Sequence, residues 1–252
     1  MQLPPADLHW FAEQLTETAT MILEAWRQRE PDTALLLPSS KELQPALERL
    51  IGVLEGQHRL ENRSSAESAS ASQSMEIDRL GENGLQMLSA LFGLAGELGL
   101  DHLNEQLERL ALSLALWTAR HYGVLDTLEL VVNAVARIAN DTPESAALKE
   151  IFLVMSEILD ASATSRPNIA YQDMLDNPRD LLLLNRAIVA TRALSPELME
   201  LAFTDVAEQL PDAAPGFFRE GMAQLQIQNF PADVGSVIER FHGDYPASAT
   251  IH

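Results

Sequence analysis

Two Glu-x-x-His pairs, Glu55/His58 and Glu239/His242, are the residues whose type and spacing best suit metal chemistry. Side chains three residues apart share one face of a helix. A carboxylate and an imidazole so placed can grip one divalent ion. Two such pairs plus two further carboxylates hold paired iron ions in helical bundles, and Glu13, Glu17 or Glu24 would have to supply them here. The plainer reading is two ordinary solvent-exposed contacts. The chain carries 37 acidic residues, so such pairs also arise by chance. The pairs sit near opposite ends of the sequence, with a Ser-rich stretch between. The plain reading is adopted, and a metal-dependent helical enzyme using these four residues stands as the alternative.

Other polar signals are weaker. Asp101-His102 reverses the His-Asp order of metal phosphohydrolases, and aspartate there suits a helix start. His121 and Tyr122 precede Gly123, and a histidine near a helix C-terminus suits the dipole there. No serine lies in a G-x-S-x-G elbow, and there is no P-loop or dinucleotide fingerprint. The absence of cysteine excludes thiol nucleophiles, disulfides, iron–sulfur clusters and cysteine-ligated zinc. No catalytic residue is assigned and no cofactor is implied.

The most informative polar residues follow Pro178. Leu181, Leu182, Leu183 and Leu184 cover every direction around a helix, so this helix should be packed on several sides. Asn185 shares a face with Leu181 and Ile188, which predicts a buried amide with an internal partner. The alternative is that Asn185 and Arg186 line a groove and bind a carboxylate or peptide, with Arg179 and Arg192 one face away. Near the C-terminus Phe217, Phe218, Met222, Phe230, Phe241 and Tyr245 form a cluster expected to be mostly core. Any of these left partly exposed would be a binding hot spot. Asn185, Arg186, Arg179, Arg192, Phe218 and Met222 are therefore the candidate partner-binding set.

These residues must be positioned by helices. The apolar period is helical nearly everywhere. Leu8, Phe11, Leu15, Ile22 and Trp26 form one stripe, and Pro31 ends it. Ser39 and Glu42 have capping-box spacing before the stripe of Leu43, Leu47, Leu50, Ile51 and Leu54. Leu35, Leu36 and Leu37 in the intervening loop are expected to tuck under this hairpin. Ser64–Ser74 has no apolar side chain larger than alanine and reads as a flexible linker. Gly93, Gly96 and Gly99, at three-residue steps, predict close approach of a neighbouring helix. Thr142-Pro143, Asn177-Pro178 and Ser195-Pro196 are cap-then-proline helix starts. Starts near Pro178, Pro196, Pro215 and Pro231 are 18, 19 and 16 residues apart, so helix pairs recur about every 35 residues. No segment alternates polar and apolar residues.

The fold class is thus all-α: an array of antiparallel helix pairs, α-solenoid-like or an irregular helical bundle, with no sheet. The expected division is an N-terminal hairpin over 1–62, a linker over 63–76, a helical-repeat-like domain over 77–246 and a tail over 247–252. The first stripe includes Phe11 and Trp26, which leaves room for the hairpin to pack on the rest.

The stretch Pro215 to Pro246 resembles a tetratricopeptide unit. Phe218 stands where that family favours an aromatic, Val234, Ile238 and Phe241 fill second-helix positions, and Pro246 ends the unit. Ala119, Tyr122 and Pro143 extend the likeness upstream. Met222 and Val234 are larger than the family's small residues at those places. The resemblance implies a scaffold that binds peptides or proteins.

Charge bounds the partner. The net charge is −20, with 17 basic residues of which only Lys41 and Lys149 are lysines. Nucleic acid and anionic lipid are repelled by such a chain. No apolar run approaches a bilayer span, and Met1–Asp7 lacks the basic start of a signal peptide, so a cytoplasmic location is expected. The expected partner is a protein or peptide, not nucleic acid or membrane, and a homo-oligomer is compatible. The expected function is a non-enzymatic scaffold, adaptor or assembly factor that holds a protein segment in a groove between helices. An acidic face that mimics a polyanion and occupies a basic partner is a further alternative.

Overall fold

A computed structural model describes residues 3–29, 40–61, 71–162 and 177–245. Ten α-helices run through these residues: α1 Leu8–Gln28, α2 Ser40–Glu61, α3 Ala71–Glu97, α4 Asn104–Arg120, α5 Glu129–Asn140, α6 Ser145–Ala161, α7 Pro178–Arg192, α8 Pro196–Gln209, α9 Ala214–Ile227 and α10 Ala232–Asp244. A 3-10 turn, Asp101–Leu103, precedes α4. There is no sheet among the described residues. One isolated bridge joins Leu125 and Ser162. The protein is all-α, as its apolar period requires. No described helix is long and apolar enough to cross a membrane. Leu35–Leu37, Ser39, residues 62–70 of the Ser-rich region, Pro246 and the 247–252 tail lie outside the described residues.

The chain forms two compact units. One comprises residues 2–135 and 160–163, the other 136–159 and 164–252. Helices on both sides of the Ser-rich stretch belong to the first unit, and the division falls within α5. Helix α3 already begins at Ala71, inside the stretch read as linker. Alanine is the best helix former, so a lack of large side chains does not by itself prevent a helix.

In the first unit α1 packs against α2, α3 and α4, and α3 packs against α2 and α4. Asp7 caps α1 by accepting from the Trp10 N–H at 2.7 Å. The stripe of Leu8, Phe11, Leu15 and Ile22 is buried, as are Leu107, Leu110, Leu114 and Trp117 of α4. Two side-chain bonds tie α4 to the N-terminal segment. Ser113 Oγ donates to the Pro5 carbonyl at 2.6 Å, and Gln106 Nε2 donates to Gln14 Oε1 at 2.9 Å.

The close approach expected at Gly93 and Gly96 occurs elsewhere. A Cβ at either of those would meet nothing within 4 Å. It is Gly81 and Gly84 that face α4. A Cβ at Gly81 would lie 2.5 Å from Thr118 Oγ1, and one at Gly84 would lie 2.3 Å from Leu114 Cδ2. Gly99 has a different task. At φ +71° it ends α3 in a left-handed turn, with the Leu100 N–H bonded to the Ala95 carbonyl at 2.8 Å and its own N–H to that of Gly96 at 3.1 Å.

Helix α4 ends with the same hydrogen-bond pattern, but Tyr122 occupies the left-handed position at φ +62°. Gly123 is required for space: a Cβ there would sit 2.6 Å from Thr118 Cγ2 and 2.8 Å from Ile77 Cγ2. The following turn is fastened to α3. Asp78 Oδ1 accepts from the Val124 N–H at 2.7 Å, and Glu82 accepts from the Thr127 hydroxyl at 2.6 Å.

In the second unit α7 packs on α8, α9 on α10, and α10 back on α8. Short turns at 193–195, 210–213 and 228–231 make neighbours antiparallel. The four helices start at 178, 196, 214 and 232, each 18 residues after the last. Asn177 caps α7 through the Arg179 N–H at 3.0 Å, with Pro178 in the first turn. Thr142 behaves otherwise. It is buried, and its hydroxyl donates back to the Ile138 carbonyl at 2.7 Å instead of capping α6.

Candidate functional site

The second unit holds a cleft of about 370 Å³ to which α7, α8, α9 and α10 all contribute. Its floor is aromatic. Phe203 meets Phe217 edge-on at 5.7 Å between ring centroids and Phe218 at 5.3 Å, and Phe218 meets Phe241 at 5.4 Å. Such offset and edge contacts lock the rings. Phe218 and Phe203 are buried, whereas Phe217 and Phe230 are half-buried at the mouth and Ile188 is 46% exposed.

The rim is polar and ordered along α9. Gln224 Nε2 donates to Glu220 Oε1 at 3.1 Å, and Gln228 Nε2 donates to Gln224 Oε1 at 3.1 Å. Gly221 keeps the wall low, since a Cβ there would only touch Ile238 Cγ2 at 3.4 Å. The cleft thus has an apolar floor inside a polar rim.

The arginines picked out in sequence serve mainly to build this unit. Arg186 is 7% exposed and pairs with Asp205 of α8. Its Nη1 donates to Ser156 Oγ of α6 at 3.1 Å, and its guanidinium lies 5.0 Å from the centroid of the Phe152 ring. Its buried Nε has no hydrogen-bond partner among the described residues. Arg186 is therefore a strut among α6, α7 and α8. Arg179 is also buried, at the start of α7. Arg192 lines the cleft, but its guanidinium clamps the end of α5, donating to the Ala139 carbonyl at 2.9 Å and the Thr142 carbonyl at 3.0 Å. The basic fork at a helix C-terminus satisfies carbonyls left without partners. A second arginine strut is exposed: Arg240 of α10 pairs with Glu200 of α8. The hydrogen bond to Glu200 pushes the Arg240 guanidinium above its usual pKa, so it stays charged.

Asn185 is only half-buried, so the fully buried amide expected there is not found. Sequence spacing placed it on a buried face, but the surrounding helices leave its side chain partly in water. Phe218 belongs to the floor of the cleft and Met222 is half-buried outside its lining. The residues that open to solvent are Ile188, Phe217, Phe230 and the glutamines. Phe217 and Phe230 were visible as part of the aromatic cluster. Their exposure was not, because it depends on where α8 and α10 stop.

Among the described residues no group of three or more histidine and acidic side chains could hold a metal ion. Glu55 and His58 lie in one unit, Glu239 and His242 in the other. The Glu55 carboxylate faces Arg59 at 3.9 Å, and the His58 ring stacks on His9 with centroids 5.4 Å apart. Glu55 is thus spent on the neighbour four residues on, a surface contact of little strength. Asp101 opens the 3-10 turn and is exposed. His121 stacks on Trp117 at 4.5 Å, with Nδ1 2.7 Å from the Trp117 carbonyl oxygen, which fits the helix-end role. Compared with known proteins, the chain matches no family model, no curated protein and no solved structure.

Proposed function

We propose that the protein is a helical scaffold that holds an apolar segment of a partner protein in the α7–α10 cleft. One observation carries this reading. An aromatic cleft stays open, with Phe217, Phe230 and Ile188 partly in solvent around buried Phe203 and Phe218. Partly exposed aromatic groups over a rigid floor are what interface hot spots are made of. One or two large side chains of a partner would fill the space. The glutamine and glutamate rim would supply hydrogen bonds to the backbone that carries them, and so set register.

Photo-crosslinking in the native cell tests this. A crosslinking residue at Gln224, on the rim, should give one dominant protein adduct that survives moderate salt. The same residue at Glu208, exposed and off the cleft, should not. Filling the cleft with Gly221→Trp should abolish the adduct. Equal adducts from both positions, or none, would reject the reading. So would natively purified protein carrying a stoichiometric small apolar molecule in the cleft.

A further inference from the structure

The first unit has a groove of its own, independent of the aromatic cleft. It runs between α2 and α3 and encloses about 600 Å³. Leu50, Ile77 and Leu80 form its floor and are buried. Val53, 57% exposed, stands on its lip. Leu43 to Gln57 border it along α2, a length of about 20 Å at 1.5 Å per residue.

Its charge is opposite to that of the molecule. Acidic residues outnumber basic ones 37 to 17 over the chain, yet the groove is lined by Arg49, Arg79 and a single acid, Glu76. Neither arginine has a carboxylate partner among the described residues. Arg49 only returns its Nε to the Pro45 carbonyl, at 3.1 Å, which leaves both terminal nitrogens available. Pro45 lies inside α2. By contrast Arg186 is paired with Asp205 and Arg240 with Glu200. Two unneutralised arginines flanking an apolar floor, in so acidic a chain, are matched to an anionic ligand with an apolar face.

We propose that the α2–α3 groove docks an acidic amphipathic helix of another protein, about four turns long. Leucine-like side chains at helical spacing would enter over Leu50, Ile77 and Leu80, and flanking carboxylates would meet Arg49 and Arg79. Long-range charge opposes this choice, since the whole protein repels acidic ligands. Local complementarity must therefore outweigh the global field.

The test uses the full-length protein at about 0.15 M salt, where the Debye length is about 8 Å. Three fluorescent 18-residue peptides are compared by anisotropy: a leucine-striped helix flanked by glutamate, the same helix flanked by lysine, and a scramble of the first. The glutamate helix should bind saturably and best. The double variant Arg49→Glu/Arg79→Glu should weaken it about tenfold or more and favour the lysine helix. Both arginines are exposed, so the variant should keep its helical circular dichroism. Val53→Ser, on the lip, removes apolar contact without adding charge and should weaken the glutamate and lysine helices alike. Stronger binding of the lysine helix to the unaltered protein would overturn the proposal, as would equal binding of the scramble or indifference to the double variant. Sedimentation showing a dimer that the double variant dissolves would overturn it too, by making a second copy the occupant.

Discussion

At the scale of single residues, two glycines and a tyrosine separate appearance from task. Gly81 has the stiff, branched side chain of Thr118 2.5 Å from where its Cβ would stand. Gly81→Ala should therefore destabilise the protein by about 1–3 kcal/mol through overpacking. Gly93 is exposed with open space around it, so Gly93→Ala should stabilise by about 0.5–1 kcal/mol. Urea denaturation of the two variants would show opposite shifts in midpoint. Tyr122 holds a left-handed conformation while 84% exposed, so its side chain contributes little burial. Tyr122→Gly should gain about 1 kcal/mol in the same experiment. The sequence marked Gly93, Gly96 and Gly99 by their even spacing. Spacing along one helix carries no information about which face a neighbour will choose, and α4 chose the face of Gly81 and Gly84.

At the scale of elements, helix starts were legible and helix partners were not. Asn177-Pro178 announces α7 because capping is local chemistry, complete within three residues. The four leucines of α7 likewise foretold packing on several sides, and Leu182 and Leu183 are buried while Leu184 and Leu181 are half-buried. The pairing of Arg186 with Asp205 spans 19 residues and two helices, so nothing near Arg186 signalled it. The pair is asymmetric: the Arg186 side chain is 8% exposed and that of Asp205 36%. Removing the carboxylate with Asp205→Ala strands a buried guanidinium and should cost about 3–5 kcal/mol. Arg186→Met keeps the volume and returns Asp205 to water, so its cost should be at least about 2 kcal/mol smaller. Thermal unfolding of the two single variants would rank them, and the reverse order would mean that Arg186 is stabilised mainly by Phe152 and Ser156. The candidate site was half legible in the same sense. Its aromatic content could be counted along the chain, but the cleft is the gap left by four helices and has no sequence of its own.

At the scale of the whole molecule, the net charge of −20 acts on every state of the chain. Self-repulsion weighs most on the compact state, and salt screens it. Raising salt from about 0.01 M to about 1 M, which shortens the Debye length from about 30 Å to about 3 Å, should raise the melting temperature. A falling melting temperature would mean that ion pairs such as Arg240–Glu200 outweigh the repulsion. The two units also differ in how far apart in sequence their contacts lie. In the array of α7 to α10, hairpin partners follow one another at an 18-residue pitch. In the first unit, Ser113 reaches back 108 residues to Pro5. Closing so long a loop must precede any reward from the contact, which slows folding. A chain made from its N-terminus therefore finishes α1 long before α4 exists to cover it. Its leucine and phenylalanine stripe waits, partly bare, during synthesis, and a fragment ending at Glu97 should bind chaperones and aggregate where one ending at Val135 does not. The C-terminal helices meet no such delay: each finds its mate as soon as the next turn is made.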